Sequence, residues 1–598
     1  MAIITRRRAA PDLAADLTAA GENAFLAGLY AARGVATAGE TRADFARLAA
    51  PRAMRNLEIM ARHLADAIAS AQRLLIVADY DTDGATACAV GLRALRAFGA
   101  QVDYLVPDRF RHGYGLTPGI VQLAVATKQP DILITVDNGI ASVDGVVAAN
   151  GLGLKVFITD HHLPGPQLPD ACCIVNPNQP GCEFPSKHLA GVGVMFYLML
   201  ALRAELRERG AFKTMQSAEC RVQNGSDVHS SLITHHSSLP KGEPNLADLL
   251  DLVALGTVAD VVKLDANNRI LVRQGLNRIR AGRIQPGIAA LFRVARREPR
   301  DATVHDLGFA LAPRLNAAGR LADMSLGIEC LATGDMQRAT DIATELDRLN
   351  RERRGIEAGM QETATAAVER VALGESYSLT LFDPGWHQGV VGLVASRIKE
   401  RYRRPTVALA RCGDGLLRGS GRSIAALHLR DALDQVATHH PGLILKFGGH
   451  AAAAGLTLRE SDFERFAAAF EATARDALTA ADLEEEIETD GSLAIADVTV
   501  ANAQLLREQV WGAGFPEPRF VDCFQVLDQR IVGDRHLKLR LAREQREFEA
   551  ILFGTTVRLP PHIEAVYRLD LNAYDGNCCA QLTVHHWFAA EPRLIAPE

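Results

Sequence analysis

Leu74-Leu75-Ile76-Val77-Ala78-Asp79-Tyr80-Asp81-Thr82-Asp83-Gly84 joins an unbroken apolar run to carboxylates at alternate positions. The run follows a segment, Leu57 to Ala71, in which apolar residues recur at helical spacing, and the change of period reads as a buried strand. Ile132-Leu133-Ile134-Thr135-Val136 and Val156-Phe157-Ile158-Thr159 repeat the pattern, each separated from its predecessor by enough residues for a crossover helix. That alternation predicts a mostly parallel α/β sheet. Each run ends in an acid, Asp79, Asp137 and Asp160. Open α/β sheets bind ligands beyond the carboxyl ends of their strands, so position and chemistry coincide.

The 598 residues, 48% hydrophobic and 23% charged, suffice for several buried cores and suggest roughly three to five domains. No apolar run approaches the ~20 residues of a membrane span. Arg6, Arg7 and Arg8 are not followed by an apolar signal region. A cytoplasmic protein without membrane contact is expected. The ten cysteines form no C-x-x-C pair, which argues against a zinc ribbon and favours buried free thiols. With a net charge of −6, the whole-molecule field does not attract polyanions, so any nucleic-acid contact must use local patches. Candidates are Arg278, Arg280 and Arg283, then Arg348, Arg351, Arg353 and Arg354, then Arg397, Lys399, Arg401, Arg403 and Arg404, although each cluster also reads as a solvated helix face.

The organisation expected along the chain starts with an N-terminal helical segment (1–70) and an α/β domain (71–334) that carries a Ser/His/Gly-rich loop insertion at 215–243. A linker helix (335–372) follows, its apolar stripe including Ile342, Leu346, Leu349, Ile356 and Met360. Next come a smaller α/β domain (373–482) and a C-terminal β-domain (485–598). In the last, alternating segments such as His536-Leu537-Lys538-Leu539-Arg540-Leu541 predict a small antiparallel barrel or sandwich.

Carboxylates this concentrated are costly without a cation. An EF-hand is poorly supported because Val90 stands where the loop needs its last glutamate. Carboxylates joined by the imidazoles of Asp160-His161-His162 suit Mn²⁺ or Mg²⁺. Asp160-His161-His162 also resembles the motif that names the DHH phosphoesterases. Asn176-Pro177-Asn178 and Val258-Ala259-Asp260 resemble further motifs of that family. So do His387-Gln388-Gly389-Val390-Val391-Gly392, Gly419-Ser420-Gly421-Arg422-Ser423 and Gly448-Gly449-His450 of its associated domain. The likeness spans roughly Leu57 to Leu456. Val77 occupies the place where many members carry a metal-binding histidine, which points to the RecJ-like branch and leaves Asp79 between metal ligand and supporting group.

The resemblance implies a parallel-sheet DHH domain, a long linking helix, a DHH-associated α/β domain and an OB-like barrel. It implies two Mn²⁺ or Mg²⁺ ions held by Asp79, Asp81, Asp83, Asp137, His161 and Asp260, with Asp137 bridging, and catalytic support from His162 and His450. Arg109, Arg314, Asn316, Ser420 and Arg422 would bind substrate, with glycine-flanked backbone N–H groups of the Gly419–Ser423 loop near a phosphate. Phe515, Phe520, Phe524 and Tyr567 are stacking candidates in the barrel, or core. The implied activity is 5′-to-3′ hydrolysis of single-stranded DNA in repair and recombination, with a helicase and a single-strand-binding protein as partners. Alternatives are an oligoribonucleotide or cyclic-dinucleotide phosphodiesterase and a noncatalytic DNA-binding scaffold.

Overall fold

The computed structural model describes residues 3–8, 10–108, 112–212, 242–369, 375–574 and 577–590. Arg109 and nearly all of the expected 215–243 insertion lie outside these residues. The chain divides into two compact units, one of Arg8–Asp347 with Ser492–Glu598, the other of Met1–Arg7 with Arg348–Gly491.

In the first unit, five parallel strands lie in the spatial order Gln101–Leu105, Arg73–Ala78, Ile132–Val136, Lys155–Thr159 and Cys173–Val175. The chain therefore reverses its direction of travel between Arg73–Ala78 and Ile132–Val136, which creates the crevice where α/β sheets bind ligands. Register completes the site. Ala78 pairs with Val136 and Val136 with Thr159, so the next residues, Asp79, Asp137 and Asp160, emerge side by side. The apolar runs are continuous because helices cover both faces of a parallel sheet. Leu75, Val77, Leu133, Val146, Val156 and Ile158 form one such core, each buried aliphatic side chain contributing ~1.5–3 kcal/mol.

The barrel of this unit is closed, in the order Phe520–Val532, His536–Arg543, Arg546–Leu552, Asn577–Ala589 and His562–Tyr574. All its pairings are antiparallel except Arg546–Leu552 with Asn577–Ala589. Alternation in His536–Arg543 is the expected one, with Leu537, Leu539 and Leu541 inside. The segment entering the barrel packs on the α/β portion of the same unit. Leu264 N donates to Ala513 O (2.7 Å), Trp511 and Phe515 stack at 5.3 Å, and the Arg269 guanidinium lies 4.2 Å over Phe515.

The second unit holds a five-stranded mixed sheet, Lys446–Gly449, Ala453–Arg459, Leu416–Arg422, Thr406–Arg411 and Leu379–Phe382. The helices Leu429–His439 and Phe463–Ala477 cover one face of it. Met336–Val368 is one helix of 33 residues, shared between the units. Its predicted stripe is buried at Ile342, Leu346, Leu349 and Met360.

Several sequence expectations need correction. Gly419-Ser420-Gly421-Arg422 is not a phosphate-cradling loop but part of a central strand paired on both sides, so its backbone N–H groups serve the ladder. Phe515, Phe520, Phe524 and Tyr567 are all buried, with Phe520 and Phe524 packed against Tyr567 inside the barrel, so none offers a free face for stacking. Several members of the basic clusters are held in ion pairs: Arg278 with Asp248, Arg353 and Arg397 with Glu357, and Arg403 with Glu485. Cys88, Cys173 and Cys330 are buried, whereas Cys172, Cys523, Cys578 and Cys579 are exposed.

Candidate metal centre

Asp79, Asp81, Asp83, Asp137, His161, His162 and Asp260 converge at the crevice. Their ligand atoms form three overlapping groups, Asp79-Asp81-Asp137, Asp137-His161-His162 and Asp83-His161-Asp260, each with all its atoms within 4.8 Å of one another. Asp137 belongs to two of these groups and His161 to two.

Helix ends organise the acids. Asp81 caps the helix Thr82–Ala97, its side chain accepting from Gly84 N. Asp83 accepts from Gly191 N (2.6 Å) and Val192 N (2.9 Å), the first N–H groups of the helix Gly191–Glu208. Both helices thus turn positive dipole ends toward carboxylates. Asp260 is the opposite case. It sits at the C-terminal end of Leu250–Ala259, where the dipole is negative and a carboxylate is disfavoured unless a cation is present.

Asp137 has φ +61°, a left-handed conformation that Asp tolerates better than most residues. Gly191 packs so closely that a Cβ there would lie 2.7 Å from Asp137 Cβ and Oδ1. Only glycine lets the helix approach.

The supporting layer fixes the histidines. Buried Asp160 accepts from Ile140 N and from His161 N and His162 N, and it holds His162 Nδ1 at 2.8 Å. Asn178 donates to His161 O and Asn176 to His162 O, which gives the Asn-Pro-Asn segment its structural role. The Asp160 carboxylate orients the His162 ring, while the two amides fix the backbone that carries both imidazoles.

The electrostatics are those of an anionic pocket. Burial, then the neighbouring carboxylates with Asp83 foremost, pushes Asp137 and Asp260 well above the usual carboxylate range. Burial and the Asp81 charge push Asp83 up to about 7. Burial works against a charged His162, but the Asp160 hydrogen bond and charge override it and raise His162 to about 9. Asp137 Oδ1 and Asp260 Oδ2 are enclosed and accept no hydrogen bond, although His161 Nε2 lies 3.0 Å and 3.5 Å from them. Buried oxygens left without donors, beside an imidazole nitrogen not aligned to donate to them, suit a hard divalent cation such as Mn²⁺ or Mg²⁺.

Tyr114 is a site residue that pattern reading missed. Its hydroxyl lies 3.4 Å from both Asp137 O and His162 Nε2, and burial followed by the Asp79 charge keeps it a neutral phenol. The available signal was Gly113-Tyr114-Gly115, whose glycines have φ +79° and +75°.

The remaining expected site residues lie on other elements. Asn316 Oδ1 accepts from Thr82 N and Thr82 Oγ1, so it braces the Asp81–Asp83 loop. Arg314 is buried, donating to Asp347 at 2.9 Å and to Ala310 O. In the second unit, Arg422 Nη1 donates to Ser420 Oγ (2.9 Å), and both side chains face Gly392 in the first turn of Val391–Tyr402. His450 is exposed in the turn after Lys446–Gly449.

Three family models match: the DHH family N-terminal domain over residues 73–222, the DHHA1 domain over 366–476 and the RecJ OB domain over 489–586. The single-stranded-DNA-specific exonuclease RecJ of Dickeya dadantii is 47% identical, over 98% of this chain and 99% of that protein. The chain belongs to the RecJ family. Among solved RecJ structures, that of Thermus thermophilus with Mn²⁺ superposes with a TM-score of 0.78 at 28% identity, covering 99% of this chain and 80% of that one. The Mg²⁺ complex of the same protein gives 0.73 at 27%, covering 99% and 78%. The expected RecJ-like fold is thereby established. Among the described residues, no helix is long and apolar enough to cross a membrane.

Proposed function

We propose that the protein is a metal-dependent exonuclease that degrades single-stranded DNA from the 5′ end, releasing 5′-mononucleotides. The observation that carries this reading is the convergence of five aspartates and two histidines, in overlapping groups, at the crevice of a RecJ-family fold. The assigned metal ligands are Asp79, Asp81, Asp83, Asp137, His161 and Asp260, and membership of two groups supports Asp137 as the residue shared between two sites. Mn²⁺ or Mg²⁺ ions bound there supply Lewis-acid charge to the scissile phosphodiester and a template for in-line attack by water.

The chain's own groups do the rest. Asp137 and Asp260 present buried oxygens already freed of hydrogen bonds, so little reorganisation accompanies metal loading. His162, its Nδ1 tied to Asp160, directs Nε2 outward as a donor to a phosphoryl oxygen, with Tyr114 beside it. Ser420 and Arg422, adjacent on one strand, are assigned to substrate phosphate, and His450 to a similar polar contact. The barrel supplies a second contact with the strand. Family membership alone supports a role in repair and recombination, and a helicase and a single-strand-binding protein as partners. The OB domain weighs against the oligoribonucleotide and cyclic-dinucleotide alternatives, and the filled acidic positions weigh against a noncatalytic scaffold.

The test uses strands labelled separately at each end and incubated with the full chain and Mn²⁺. Early release of the 5′ label as a mononucleotide is expected. Release of the 3′ label first, or preference for RNA or cyclic dinucleotides, would refute the assignment.

A further inference from the structure

Three departures from ordinary packing meet beside the metal centre. Asp306–Leu311 is a π-helical stretch, a rare form that tends to occur at functional sites. Within it Phe309 is 69% exposed, while Leu307 and Leu311 on the same stretch are fully buried. Directly after Asp260, Val261 adopts φ +61° and is 70% exposed, an outlier for a β-branched residue and a cost of order 1–3 kcal/mol.

These features share one location. The Gly308 backbone lies against Val258, a Cβ there falling 3.2 Å from Val258 Cγ1, and Val258 O accepts the hydrogen bond of Val261 N. Val258 also stands two residues before Asp260. At its other end the stretch runs into the helix Ala312–Leu321, whose Ala312 O and Asn316 Oδ1 hold Thr82 of the Asp81–Asp83 loop. The element carrying Phe309 therefore bridges two of the loops that bear metal ligands.

Phe309 is backed by a second ring. His305 stacks on it at 4.8 Å with an interplanar angle of 25°. Arg297 and Arg568 of the barrel are electrostatic neighbours of His305, each paired with a carboxylate, Arg297 with Asp306 and Arg568 with Glu517. A backed and exposed aromatic face is the element on which proteins stack the bases of single strands.

We infer that Phe309 is a stacking platform for a nucleobase of the bound strand, held between the metal centre and the barrel and indifferent to base identity. The inference rests on the proposed single-strand activity and adds a positioning contact to it. Val261 forms an apolar edge beside the platform.

The experiment compares wild type, Phe309→Ala and Phe309→Trp on an oligothymidine strand and on an equal strand with a run of abasic sites. Both Mn²⁺-dependent KM and fluorescence-anisotropy affinity are read. Phe309→Ala is expected to weaken binding of the thymidine strand about 5- to 100-fold, the range for loss of one base–aromatic stack, and Phe309→Trp to restore it. The abasic run should weaken wild type by a similar factor and leave Phe309→Ala where it was. Equal affinity of wild type and Phe309→Ala for thymidine, or an undiminished effect of Phe309→Ala on the abasic strand, would overturn the inference. The second outcome would mark Phe309 as part of a backbone or protein contact. Because affinity is measured apart from cleavage, failure of the wild type to cut would count against the proposed activity alone.

Discussion

Replacing Asp137 by Asn should make the metal-free protein more stable and the metal-loaded protein less stable than wild type. Ligand oxygens of Asp79, Asp81 and Asp137 lie within 4.8 Å of one another. At that separation and an effective dielectric of about 20, each like-charged pair costs about 3.5 kcal/mol. Proton uptake caps the cost, since burial and neighbouring charge push Asp137 well above its ordinary range, so a gain of about 1–3 kcal/mol is expected at pH 8. Asparagine suits the test better than alanine because it tolerates φ +61°. It also deprives no donor, Asp137 Oδ1 accepting no hydrogen bond. With Mn²⁺ at a hundred times its dissociation constant, wild type should gain about 2.7 kcal/mol and the variant almost nothing. Thermal unfolding in EDTA and across an Mn²⁺ titration would show the two stability curves crossing. A variant less stable than wild type in EDTA, or one with an equal response to Mn²⁺, would refute the view that these carboxylates are gathered to hold cations.

Three further outcomes are expected. In chelator, stability should fall as pH rises from 6 to 9. The folded chain binds protons more tightly than the unfolded one at Asp83 (about 7) and His162 (about 9), so these contributions, on the order of 2 kcal/mol for His162 after allowance for its partial exposure, vanish above those values. Saturating Mn²⁺ should flatten the thermal-midpoint profile. Asn178→Ala removes the amide from His161 O and Lys187 O and should weaken Mn²⁺ binding about 10- to 100-fold in calorimetric titration. Gly514→Val, on the segment entering the barrel, should also weaken Mn²⁺ binding in the same titration. A Cβ there meets Lys263 Cγ at 2.2 Å and would push on the loop that follows Asp260, and unchanged titration would show that loop to be independent of the barrel.

The runs ending at Ala78, Val136 and Thr159 were legible because strands buried on both faces need no polar alternation, and the acid after each run marked the ligand end of the sheet. Asp260 was not legible in that way. It closes a helix rather than a strand, and only family likeness brought it into the set. Gly419-Ser420-Gly421-Arg422 looked like a turn because glycine and serine favour turns, yet the glycines sit in a strand where Leu456 Cδ2 and Leu429 Cδ2 would lie 2.8 Å from added Cβ atoms. The partner of Arg314, Asp347, lies 33 residues away, beyond the reach of any local pattern.

By itself the sequence determined the kind of chemistry: carboxylates and imidazole, delivered to the carboxyl ends of parallel strands, with glycines, asparagines and an aspartate in the local motifs that support them. These are short-range signals, written in periodicity and neighbouring residues. Tertiary structure alone decided that Asp137 is shared between two ligand groups, that Gly191 yields the space it needs, that Arg314 meets Asp347 and that Phe309 stands exposed. Each of those depends on distances between segments far apart in the chain, which are set by how sheet and helices pack and leave no trace in local pattern.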